Sequence, residues 1–153
     1  MQNFVDPFIE ATSSVFSTMI GWEVVAGTPE HRLHEDDCEL RSLIGLSGQA
    51  SGIVMVQWDQ NVAIKAAGAL LGSEPSSVDA DVVDTLGEIT NMIAGAAKAK
   101  LSPMFSNLAL PIVLVGRNGG VSLPKNVKPI RIPFESPNGP FSIEIDIKEP
   151  DAV

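Results

Sequence analysis

The sequence predicts an α/β fold in which a largely antiparallel sheet carries about three helices on one face. Three observations carry that prediction. Residues 51–58 and 141–148 alternate in character with the period of two that a half-buried strand requires. Both runs adjoin hairpin signals, Gly48-Gln-Ala50 and Pro137-Asn-Gly-Pro140. Residues 81–100 show instead the period of a long amphipathic helix.

Residues 3–20 read as the first helix. Asn3 can cap it, Pro7 is tolerated only in a first turn, and Gly21 ends it. Its expected apolar stripe is Phe4, Phe8, Ala11 or Thr12, Val15 and Met19. Trp22 to Ala26 is short and β-prone, and His31 to Asp37 reads as a polar loop or exposed strand edge. Cys38 to Ser47 and Ser51 to Trp58 form the first hairpin. Ile53, Met55 and Gln57 face one side of it, Val54, Val56 and Trp58 the other. Trp22 and Trp58 read as partly buried aromatics.

A second helix follows, capped by Asp59 or Asn61 and closed by Gly72, with Ala63, Ala66 and Ala67 permitting close packing. Ser76-x-x-Asp79 resembles a capping box for the third helix, whose far end carries Lys98 and Lys100 before Pro103 stops it. Beyond it, strands are expected over residues 110–116, 127–135 and 141–148, with Asn118-Gly-Gly120 a turn. Pro129 and Pro133 favour an edge or bulges for the middle one. Ile143, Ile145 and Ile147 alternate with Glu144, Asp146 and Lys148, which predicts a sheet with one wet face.

The third helix has two faces of different character. Val82, Leu86, Ile89, Ile93, Ala96 and Ala97 fall within about 100° of one another, a core-facing stripe. Opposite them, Asp84, Glu88, Asn91, Gly95 and Lys98 share an arc of about 80°. Gly87 and Gly95 each cost about 1 kcal/mol relative to alanine, so stability alone did not select this surface. Gly95 clears space one turn beyond the Asn91 amide. The face is suited to being docked against.

Asp84-x-x-x-Glu88-x-x-Asn91, continuing as Met92-Ile93-Ala94-Gly95, resembles the signature helix of the CheC/CheX family of chemotaxis phosphatases. That family acts on phosphorylated CheY-type response regulators. Its pattern is Asp or Ser, Glu four residues on, Asn three further, and Gly four beyond that, and all four positions match. Length and the single intact copy are similar to the CheX branch. A carboxamide has both a donor and an acceptor, so it can hold a water for in-line attack on an aspartyl phosphate. The resemblance gives that role to Asn91 and pairs Glu88 with the lysine of a receiver domain. Asp84 and Gly95 would serve docking. It implies no cofactor of its own, because the Mg ion would be carried by the response regulator. It also implies a homodimer formed through β-structure and an α-β-β duplication. In that duplication Asp6-x-x-x-Glu10-x-x-Ser13 repeats the spacing of the signature helix without its amide.

Composition bounds these readings. With 153 residues, 44% hydrophobic and 19% charged, the chain is expected to be a single globular domain. A formal charge of −9 argues against nucleic-acid backbones and anionic membranes as partners. No apolar run approaches a membrane span, no leader is evident, and the lone Cys38 excludes an internal disulfide, so a cytoplasmic protein is expected. No nucleophile elbow, glycine-rich phosphate loop or dinucleotide fingerprint is present. Two rival readings remain. The same fold could dock a receiver or flagellar-switch partner without turnover. A metal site could be built from His31, His34, Asp36, Asp37 and Cys38, but the spacing matches no standard zinc pattern and a solvated loop fits better.

Overall fold

A computed structural model describes residues 3–31, 38–116 and 129–148. Helix α1 spans Val5–Val15 and runs on as a wider turn over Phe16–Ile20. Strand β1 (Val25–Ala26) precedes the hairpin of β2 (Leu40–Gly48) and β3 (Ser51–Trp58). Helices α2 (Gln60–Leu71) and α3 (Ala80–Lys100) follow, then β4 (Phe105–Leu108) and β5 (Ile112–Val115). The hairpin of β6 (Ile130–Ser136) and β7 (Gly139–Lys148) comes last. The described strands form one antiparallel sheet of seven, in the order β1-β6-β7-β3-β2-β4, with β5 also on β2.

Local chemistry explains most boundaries. The Asn3 side chain accepts hydrogen bonds from the backbone N–H groups of Val5 (2.9 Å) and Asp6 (3.4 Å), as a cap should. Gly21 closes the first helix with φ +82°. The expected stripe fails only at Met19, which is 49% exposed, while Phe16 and Ile20 are buried. The turn over Phe16–Ile20 bonds one residue further back than an α-helix, with Gly21 N–H donating to the Phe16 carbonyl at 2.7 Å. That extra residue rotates the phase and turns Met19 outward. Helix α3 starts later than the Ser76 box predicted, because Asp79 is the cap and accepts from Val82 N–H at 2.9 Å.

The two hairpins occupy equivalent places. β3 and β7, each the second strand of its hairpin, pair at the centre, with Val54 opposite Ile145 and Val56 opposite Ile143. β1 follows α1 and pairs with β6, while β4 and β5 follow α3 and pair with β2. The α-β-β order therefore recurs, with the first half lending β1 to the second and the second lending β4 and β5 to the first. Thr12 and Thr90 strengthen the correspondence. Each is buried two residues beyond the motif glutamate and donates to the carbonyl four back, Phe8 at 2.7 Å and Leu86 at 2.9 Å. In α1 the motif positions serve structure, since Asp6 accepts from Asn3 (2.9 Å) and Glu10 pairs with Lys100 of α3 (3.2 Å).

All three helices cover one face. Beneath them Phe16 stacks on Phe141 with ring centroids 4.7 Å apart, and Phe134 stacks on the same ring at 5.1 Å. Trp58, expected half-buried, is only 1% exposed, whereas Trp22 is half-buried as expected. The residue 110–116 strand is shorter than predicted, and β4 was not expected at all. The turn at residues 118–120 lies outside the described residues.

The expected wet face is a correction. Glu144 and Asp146 point away from the helices as the alternation requires, yet they are 0% and 3% exposed, together with Arg41, Met55, Gln57 and Ser142. Arg131 lies directly opposite Glu144 across the β6–β7 ladder. Charges of both signs on neighbouring strands can be buried together, and one strand's alternation cannot show what stands beside it. Burial and the adjacent Asp146 charge push Glu144 up to about 8 against the pull of Arg41 and Arg131; burial also raises Asp146, to about 6.

These carboxyls bind protons more tightly folded than unfolded, so their contribution to stability is greatest in acid. It is lost as pH rises from about 4.5 toward about 8. The melting temperature should therefore fall across that window, and Glu144→Gln should flatten the fall and raise stability at pH 8. An unchanged slope in the variant would remove the pair as its source.

Candidate functional site

Helix α3 places the polar line where the sequence put it. Asp84 and Glu88 are exposed, and Asn91, Gly95 and Lys98 are half-buried. Among the described residues, the side chains of Asp84, Glu88 and Asn91 make no hydrogen bond or ion pair. A carboxylate and a carboxamide one turn apart, with no partner among the described residues, have bonding capacity to offer something outside the chain.

The buried arc of α3 is wider than its apolar stripe. Thr85, Gly87, Thr90 and Ala94 are buried as well as the aliphatic residues. Taken by helical angle, Gly87, Thr90 and Ala94 carry burial right up to the edge of the polar line, and Asn91 stands on that edge. This explains why it is half-buried while Glu88 is exposed.

Two contacts made by residues absent from the motif fix that orientation. Thr90 Oγ1 lies 2.6 Å from Ser42 Oγ on β2, and Trp58 Nε1 donates to the same Ser42 oxygen at 2.9 Å. With Ser42 donating to Thr90, and Thr90 to the Leu86 carbonyl, each hydroxyl donates once and the chain of bonds closes. It is fully buried and pins the rotation of α3 one residue before Asn91. Ser42 was the available signal, a hydroxyl on a strand face otherwise formed by Leu40, Ile44 and Leu46.

The other wall comes from the segment joining β4 to β5. A Cβ built on Gly87 would lie 3.4 Å from Pro111 Cγ, and one built on Gly95 would lie 3.9 Å from Leu108 Cδ1. Gly87, Asn91 and Gly95 follow one another at four-residue intervals, so residues 108–111 run alongside the row with Asn91 in the middle. Gly87 thus serves close packing, whereas the space at Gly95 is open to ordinary contact only.

The rival metal site gains no geometry. Cys38 Sγ lies 3.0 Å from the Leu40 carbonyl and 3.5 Å from that of Trp58, and His31 is exposed. His34, Asp36 and Asp37 lie outside the described residues, and no metal-ligating cluster occurs among those described.

Residues 40–135, more than half of the chain, match the family model described as chemotaxis phosphatase CheX. The chain belongs to the CheX family. It is 26% identical over 118 residues to the CheY-P phosphatase CheX of Thermotoga maritima, covering 74% of this chain and 76% of that one. It superposes on a CheX crystal structure from Desulfovibrio desulfuricans with TM-score 0.85 at 31% identity, covering 95% and 99% of the two chains. A CheX–CheY–BeF3–Mg complex from Borrelia burgdorferi matches with TM-score 0.83 at 26% identity, over 96% and 99%. The matched CheX region contains α3 and both walls around it, β2 and the β4–β5 segment.

Proposed function

We propose that this CheX-family chain hydrolyses the aspartyl phosphate of a CheY-type receiver domain. The observation that carries the reading is the outward pair of Glu88 and Asn91, one helical turn apart and without partners among the described residues. The name of the Thermotoga relative and the composition of the Borrelia complex support it.

In this mechanism α3 enters the phosphorylated pocket of the receiver. Glu88 pairs with a receiver lysine and sets the register. Asn91 accepts from and donates to a water, aiming a lone pair along the line of attack. Hydrolysis of an acyl phosphate needs positioning more than proton abstraction, which suits an amide. Asp84 borders the contact. The chain needs no cofactor of its own, because the receiver's Mg ion neutralises charge on the phosphoryl oxygens. Such a partner places the protein in the cytoplasm, and no described helix is long and apolar enough to cross a membrane. A homodimer through β-structure belongs to the same proposal, with β1, β4 and β5 the edge strands among the described residues. Light scattering measures that state directly.

The test is single-turnover loss of phosphate from the host's receiver domains with and without the protein. Acceleration of one receiver is expected. Binding without acceleration across the whole set would leave a docking module in place of an enzyme.

Gly95 offers a separate test of docking. Alanine there meets only Leu108 at an ordinary contact distance, so Gly95→Ala should stabilise the helix by up to ~1 kcal/mol. That corresponds to about 2–4 °C in Tm for a domain of this size. The KM for the phosphorylated receiver should rise several-fold at the same time. A stabilised variant with unchanged KM would take Gly95 out of the interface.

A further inference from the structure

We propose that the segment from Leu108 to Pro111 is the apolar half of the receiver-docking surface, with Leu110 as its anchor. The inference rests on the reading of α3 as the receiver-facing helix. Leu110 is 86% exposed, more than any other large hydrophobic side chain among the described residues. It does not project from a loose loop. On one side Ala109 N–H donates to the Gly45 carbonyl at 2.9 Å, and on the other Pro111 lies against Gly87. Both neighbours are pinned, so Leu110 is held out at little further cost in ordering.

Its position ties it to the polar line. Pro111 packs one residue before Glu88, Leu108 beside Gly95, and Asn91 stands between them on the same helix row. A specific protein interface covers about 800 Å² on each partner, a patch of roughly 16 Å radius. A patch of that radius centred on Asn91 is wide enough to take in residues 108–111, which flank it along the helix row. The chemistry of the two halves is complementary. Asp84 and Glu88 ask for a cation, while residues 108–115 (Leu-Ala-Leu-Pro-Ile-Val-Leu-Val) carry no charge at all. The occupant is therefore a receiver surface that shows a lysine beside an apolar rim. Apolar anchors of this kind dominate interface energetics while acidic rims steer the encounter.

The experiment compares wild type, Leu110→Asp and Leu110→Met. It measures affinity for the receiver loaded with beryllofluoride and Mg, KM and kcat for the phosphorylated receiver, and molecular mass. Leu110→Asp should weaken affinity and raise KM about tenfold or more. Its kcat at saturation should stay within about twofold, since Leu110 touches no reacting atom. Leu110→Met should restore binding. Unchanged affinity in Leu110→Asp overturns the assignment. So does a fall in molecular mass with affinity intact, which would make this face a contact between copies of the chain. If the loaded receiver binds with this sensitivity to Leu110 but the phosphorylated receiver is never hydrolysed, the anchor stands and the phosphatase reading falls.

Discussion

Asn91→Ala should lower the single-turnover rate of receiver dephosphorylation by about 100-fold or more, with affinity for the beryllofluoride-loaded receiver changed by less than about threefold. Losing a group that positions a reactant or stabilises a transition state has effects of that size. The folded state supplies a control. Asn91 makes no hydrogen bond among the described residues, and alanine is the better helix former, so Tm should hold or rise slightly. Lost activity then cannot be ascribed to unfolding. Asn91→Asp keeps the shape but gives up the donor, and it should be nearly as impaired. Wild-type turnover by Asn91→Ala would leave the water-positioning mechanism without its residue.

Glu88→Ala should act on the other side of the same ledger. Removing one arm of a desolvated interfacial ion pair strands the other, at a cost of about 2 kcal/mol or more, roughly thirtyfold in Kd. The rate at saturating receiver should fall much less than in Asn91→Ala. The association rate of the wild type should drop as salt rises, and Glu88→Ala should show a shallower dependence, because the steering charge is gone. A collapse of kcat with affinity preserved would move Glu88 from docking into the chemistry.

Both predictions rest on residues visible in the sequence, and the reason is geometric. Positions on one helix keep their angular relation whatever the helix packs against, so spacing alone put Asp84, Glu88, Asn91 and Gly95 on one line. Strand faces are legible on the same ground. Val54, Val56 and Trp58 turn to the helices, and Ile53, Met55 and Gln57 away, as alternation required. Glycine at the ends of α1 and α2 was equally direct, since Gly21 and Gly72 both adopt positive φ that other residues resist.

Other features depended on neighbours distant in the chain. Gly48 looked like a turn residue, but a Cβ there would sit 2.8 Å from the Met104 carbonyl oxygen, so β4 could not pass if it were anything else. Lys100 read as a cation at the helix end and proved to reach Glu10. Met19 fitted the stripe until the widened turn rotated it out.

What the sequence determined by itself was local and periodic: the helices, the alternation of the strands, and an acid and an amide one turn apart on the same face. Tertiary structure decided which surfaces those patterns meet. It buried Glu144 and Asp146 on a face shared with Arg131 of the next strand and Arg41 two strands away, locked the rotation of α3 through Thr90, Ser42 and Trp58, and laid residues 108–111 beside Asn91. Each of these needs a partner from another part of the chain, and which parts meet is set by strand pairing and register across the whole sheet.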